Sequence, residues 1–152
     1  MILFKRVIST ATVLLAALGA GIVSPTAANA STVACNQNVE VRESDWDVYT
    51  GCFLQYGDTV QIGAQGSIWA GVWFTGNNGP QGWTNTAQDP KFPMPSARAY
   101  SLLSRADGRY RYVGTGTSFL YTGSGTYLYL RINDDVPGNG NGSFNANVQV
   151  IR

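Results

Sequence analysis

Apolar residues in this chain recur at every second position in short runs, and nowhere after residue 30 do they hold helical spacing for three turns. Strand side chains alternate between two faces, whereas a helix repeats every 3.6 residues, so this patterning constrains the fold more than any other feature. The runs are VEVRE (39–43), WDVYT (46–50), TVQIGA (59–64) and SIWAGVWF (67–74), then AYSLLSR (99–105), RYRYVG (109–114) and TSFLYT (117–122), and last TYLYLRI (126–132) and NANVQVI (145–151). Strong strand formers separated by Gly, Asn and Asp at near-regular spacing predict an all-β fold, a small β-sandwich or jelly roll. No internal repeat and no long linker divides it, so one domain is expected.

The last two runs show which faces are meant for the core. In TYLYLRI, Leu128, Leu130 and Ile132 share one face and Tyr127, Tyr129 and Arg131 the other. In NANVQVI the apolar set is Ala146, Val148 and Val150, opposite Asn145, Asn147 and Gln149. Such faces bury against a second sheet about 10 Å away. A slip of one residue in either register would carry the polar set into the core.

The first thirty residues read as a secretory leader rather than as part of the domain. Lys5 and Arg6 precede an apolar run over 7–23, and Ala28-Asn29-Ala30 supplies small residues at −3 and −1 for cleavage before Ser31. Gly19, Gly21 and Pro25 shorten the apolar span below the ~20 residues a bilayer requires. The expected product is a secreted domain over 31–152 that has no membrane segment after cleavage. Two of the chain's ten basic residues fall in the leader, leaving the rest nearly balanced against nine acidic ones. With no basic run, a nucleic-acid partner is not expected.

Cys35 and Cys52 are the two cysteines, and in an exported chain they are expected to form a disulfide. The loop-entropy model gives such a bridge roughly 3 kcal/mol. A cysteine or histidine metal site is ruled out, since there is no histidine and no third cysteine. Without histidine the usual general base is missing, and no Ser or Cys nucleophile has a visible partner, so no enzyme activity is expected.

Between the last two runs lies NDDVPGNGNG (133–142). As a turn it is a long hairpin connection, with Asn139-Gly140 and Asn141-Gly142 suited to positive φ and Pro137-Gly138 a turn pair. As a site it crowds Asn133, Asp134, Asp135, Asn139 and Asn141, all short oxygen-bearing side chains, among glycines that let a loop curl. Calcium takes six to eight such oxygens, carbonyls included. The alternating ligands of an EF-hand are absent, because Val136 and Gly138 stand third and fifth from Asp134. No helical pattern follows the glycines, which excludes a phosphate cradle. Asp134 and Asp135 are adjacent and point apart in an extended chain, so they do not form a glycosidase pair.

The order GDTVQIGAQG (57–66), GPQGW (79–83), then LYLRIND with GNGNGSFNANVQV, resembles the bacterial calcium-dependent galactophilic lectins of the PA-IL type. The resemblance spans roughly 57–151 and implies a small jelly roll whose last loop binds Ca2+, which in turn takes two sugar hydroxyls. Carried over residue by residue, it makes Asp134 the bidentate carboxylate, with Asp135 the alternative, and Asn139 the first of two late ligands. Gly140 stands where the family has a second side-chain amide, and Asn141 would replace it only by a change of register. A backbone carbonyl near Ala70 would be the remote ligand, with another from Val136 or Pro137. The family's His-Pro-Asp-Gln stretch has no match here; Gln88, Asp89 and Pro90 are the nearest counterparts, and galactose specificity does not carry over with them.

Among the aromatics, Trp83 in its loop is the candidate for sugar stacking, while Trp69 and Trp73, read as strand residues, are expected to fill the core. The reading is therefore a secreted, non-enzymatic, calcium-dependent lectin-like domain with a glycan partner, galactose-type by resemblance, and with room for an oligomer. Its rival is a disulfide-stabilised structural or protein-interaction jelly roll that has lost the metal and sugar site.

Overall fold

The computed structural model describes residues 31–152, and the leader expected over residues 1–30 lies outside them. Among the described residues nine strands follow one another: β1 (Val33–Arg42), β2 (Val48–Leu54), β3 (Thr59–Trp69), β4 (Asn77–Asn78), β5 (Leu102–Ala106), β6 (Arg109–Tyr112), β7 (Gly116–Leu120), β8 (Thr126–Ile132) and β9 (Asn141–Ile151). They form two antiparallel sheets. One runs β1-β9-β3-β4 with β7 also paired to β3, and the other runs β2-β8-β5-β6.

Period-two patterning builds the core as the sequence requires. Leu128, Leu130 and Ile132 of β8 are buried in one sheet, and Ala146, Val148 and Val150 of β9 in the other. Val148 pairs with Ile62 of β3 and Val150 with Val60, so each rung adds apolar side chains to the same face. Cys35 and Cys52 are bonded, with Cα atoms 5.6 Å apart. The bridge joins β1 to β2, edge strands of opposite sheets.

Several element limits differ from the sequence reading, each for a physical reason. TVQIGA and the start of SIWAGVWF merge into the single strand β3, which continues through Gly63 and Gly66. At Gly66, φ is +114° and an added Cβ would lie 2.5 Å from the Ser143 carbonyl, so glycine is what lets β3 stay paired with β9 there. The strand ends at Trp69 because Gly71, at φ +74°, turns the chain, and Trp73–Thr75 forms one 3-10 turn. Strand β5 starts only at Leu102, after Tyr100 at φ +63°. Residues 133–140 do not close a hairpin: β8 and β9 belong to different sheets, so the segment crosses from one layer to the other at an end of the sandwich.

Candidate functional site

The crossover is pinned first by Asn133, which is fully buried. Its Nδ2 donates to the Met94 and Arg98 carbonyls, each at 3.0 Å, and its Oδ1 accepts from the Met94 N–H at 3.0 Å. Its backbone bonds to Tyr100 and Ser101, both at 2.8 Å. All of its polar groups are committed, so Asn133 clamps the 94–101 segment onto the end of β8.

The next residue is Asp134, only 1% exposed. One carboxylate oxygen, Oδ1, accepts the Val136 N–H at 3.1 Å. The other, Oδ2, is buried with no hydrogen-bond partner among the described residues. Glu43, also 1% exposed, lies against it and takes the Gly138 N–H at 3.2 Å from both of its oxygens. Burial pushes the Asp134 carboxyl up to about 6, and the Glu43 and Asp135 charges add to burial against the opposing Val136 N–H. Tyr100 closes the neighbourhood, its phenol raised by burial and by the charges of Asp134 and Asp135.

Glu43 is the residue that sequence reasoning missed. It ends VEVRE on the same face as Val39 and Val41, and Val41 is fully buried. An acid in phase with a core-facing valine was the available signal.

Downstream, the loop presses on the end of β3. A Cβ at Gly140 would lie 1.8 Å from the Trp69 carbonyl oxygen, so no side chain fits at that position. The Asn139 amide lies over Gly71, where an added Cβ would be 2.5 Å from its Oδ1. The segment around Ala70 is thus brought against the loop, and Ala70 itself is fully buried. Asn141 opens β9 opposite Trp69 and is exposed, in alternation with buried Phe144. Val136 is exposed and Pro137 half-buried.

The second set of sequence candidates lies on the adjoining loops. The chain from Trp83 runs antiparallel to 97–99, with the Trp83 N–H on the Ala99 carbonyl at 2.8 Å and the Ala87 N–H on that of Ala97 at 2.8 Å. This ribbon leads directly into Tyr100 and so abuts the Asp134 neighbourhood. Gly82 permits it, because a Cβ there would lie 2.6 Å from the Ala99 carbonyl. Trp83 and Gln88, with Thr84, Asn85 and Thr86, line an open concavity of about 550 Å³. Asp89 and Pro90 are exposed, and Asp89 Oδ1 caps a local turn by accepting the Lys91 N–H at 2.9 Å.

Trp83 is half-buried against the Phe74 ring, 5.8 Å between centroids, and Phe74 meets Trp73 at 5.8 Å. The expectation that Trp73 fills the core is wrong. It is 85% exposed and Phe74 60% exposed, because the turn at Gly71 lifts both off the strand. Trp69 is half-buried at the end of β3.

Among the described residues no group of three or more Asp, Glu, His or Cys is placed to hold a metal. A cation at this end would therefore rest on Asp134 and Glu43 and draw its other ligands from amides and carbonyls. The partnerless Asp134 Oδ2 fits that role, since hard oxygens suit calcium.

No protein-family model matches the sequence, and no curated protein matches it. Among solved structures the domain is similar to the EclA N-terminal domain, a PllA-like lectin, with a TM-score of 0.60 and 21% sequence identity. The match covers 75% of this chain and 95% of that one. The fold is a lectin-type β-sandwich.

Proposed function

We propose that this is a secreted, non-catalytic carbohydrate-binding domain that seats calcium at Asp134 and presents it to a glycan. The observation that carries the reading is the buried Asp134 carboxylate, with one oxygen unpartnered and Glu43 beside it. Two buried carboxylates side by side repel when both are ionised, and a divalent ion between them would relieve that cost. Asn139 and the carbonyls of the 69–71 segment and of Val136 or Pro137 would complete the oxygen set, with Asp135 at its margin. When bound, calcium supplies a directional anchor for two vicinal hydroxyls. The exposed rings of Trp73 and Phe74 and the Trp83 concavity, with Gln88 on its wall, suit the C–H faces and remaining hydroxyls of a sugar. The likeness to a lectin fold is consistent with this use.

Gly140 favours the second reading, a disulfide-stapled structural or interaction domain without metal. The Trp69 carbonyl occupies the space that a side-chain amide would need. A glycan array run in calcium and again in chelator separates the two. Binding that requires calcium and is lost in Trp73→Ala supports the lectin; an array blank in both conditions supports the structural domain.

A further inference from the structure

The two sheets do not close on one another along β6 and β7. Between these edge strands lies a cleft of about 530 Å³, lined by Arg109 and Arg111 of β6, Phe119 of β7, and Ser104, Asp107 and Tyr121. The arginines occupy core-facing positions. Arg111 pairs with Ser104, which pairs with the fully buried Leu130, and directly paired residues share a face of a sheet. Arg109, two residues earlier, lies on the same side. Where a closed sandwich would place apolar side chains, this one places two guanidinium groups. Neither forms an ion pair among the described residues.

The cleft is organised. The Arg111 guanidinium lies over the Phe119 ring, 4.2 Å from its centroid, which holds it without consuming its hydrogen-bond donors. Asp107, the one carboxylate lining the cleft, is already engaged by the Tyr121 hydroxyl, which also meets the Ser124 carbonyl. Burial, reinforced by Asp107, pushes Tyr121 up to about 12, so the hydroxyl keeps its proton. Two planar donor arrays thus face the cleft against one carboxylate, and hydroxyls of Ser104, Thr122 and Ser124 flank them.

We propose that the cleft between β6 and β7 binds the acidic group of a saccharide, a uronate carboxylate or a sugar sulfate, on Arg109 and Arg111. Guanidinium pairs recognise such oxyanions bidentately, and the flanking hydroxyls suit the sugar that bears them. This site does not depend on the calcium loop.

The test is calorimetric titration of the chelator-treated domain with trigalacturonate, its methyl ester, a sulfated lactose, and free acetate and sulfate, together with amide-shift mapping. Trigalacturonate or sulfated lactose should bind, moving resonances of Ser104, Arg111 and Phe119, while the uncharged ester should not. Arg109→Gln and Arg111→Gln should each weaken binding roughly tenfold, and Asp134→Asn should leave it unchanged. Both arginines are exposed, so the variants should keep the wild-type spectrum outside the cleft. Equal binding of acid and ester, or of free acetate or sulfate and the acidic sugars, would overturn the proposal. So would an absence of binding by both acidic sugars. Unchanged binding in the variants would also overturn it, leaving the arginines as inward charges that guard an edge strand.

Discussion

Asp134 and Asp58 are both buried acids, yet their environments push them in opposite directions. Asp58 is buried, which raises its pKa, but the Arg152 guanidinium at 2.8 Å and the Gln55 N–H at 2.7 Å outweigh burial and hold it below the usual carboxylate value. Asp134 has no cationic side chain paired with it among the described residues and is held at about 6. A raised pKa means stability that is present below the unfolded value of about 4 and lost as pH rises through about 6. The calcium-free domain should therefore melt higher at pH 5 than at pH 7, by roughly 2 kcal/mol at most, and Asp134→Asn should flatten that slope. Below pH 4 the trend should reverse as Asp58 gains its proton. A thermal-denaturation series in chelator checks both arms, and a melting temperature that falls steadily from pH 7 to 5 would contradict the first. Gly140→Ala should destabilise by about 1–3 kcal/mol through the Trp69 carbonyl, measured by urea unfolding.

Elements were more legible in the sequence than the way they are joined. The apolar faces of β8 and β9 followed from alternation alone, because burial on one side of a strand leaves no other register. The crossover over 133–140 was not legible as such, since turn chemistry specifies local φ and says nothing about which sheet the next strand enters. Gly71 hid Trp73 in the same way: one residue at positive φ turned an apparent strand end into an exposed aromatic pair. Asp134 was readable and Glu43 was not singled out, because Glu43 lies 91 residues away in sequence and reaches the site through the β1–β9 pairing. At this scale the bridge between β1 and β2 closes an edge of the sandwich that no strand pairing joins. Replacing Cys35 and Cys52 by Ala should cost about 2–4 kcal/mol, measured by denaturant midpoint against the oxidised protein. A midpoint unchanged by the double substitution would mean that core packing alone holds the two sheets.

At the scale of the whole molecule, the outer faces and ends of the sandwich carry different chemistry. The first sheet shows amides outward, with Asn147 bonded to Asn36 and Asn38. The crossover end gathers the buried acid pair and the exposed rings, and the β6–β7 side is open and basic. A metal at the crossover would bind the folded chain only, adding RT ln(1 + [Ca]/Kd), about 2.7 kcal/mol at a hundredfold excess over Kd. Glu43→Gln should raise the stability of the metal-free protein by relieving its repulsion with Asp134, while weakening calcium; thermal melts with and without the ion check both signs. The most direct measurement is calorimetric titration of the chelator-treated wild-type domain with calcium, beside Asp134→Asn. One saturable site per chain, absent in the variant although the variant folds, is the predicted result. Heats of dilution alone in the wild type, or a site that survives Asp134→Asn unchanged, would contradict it.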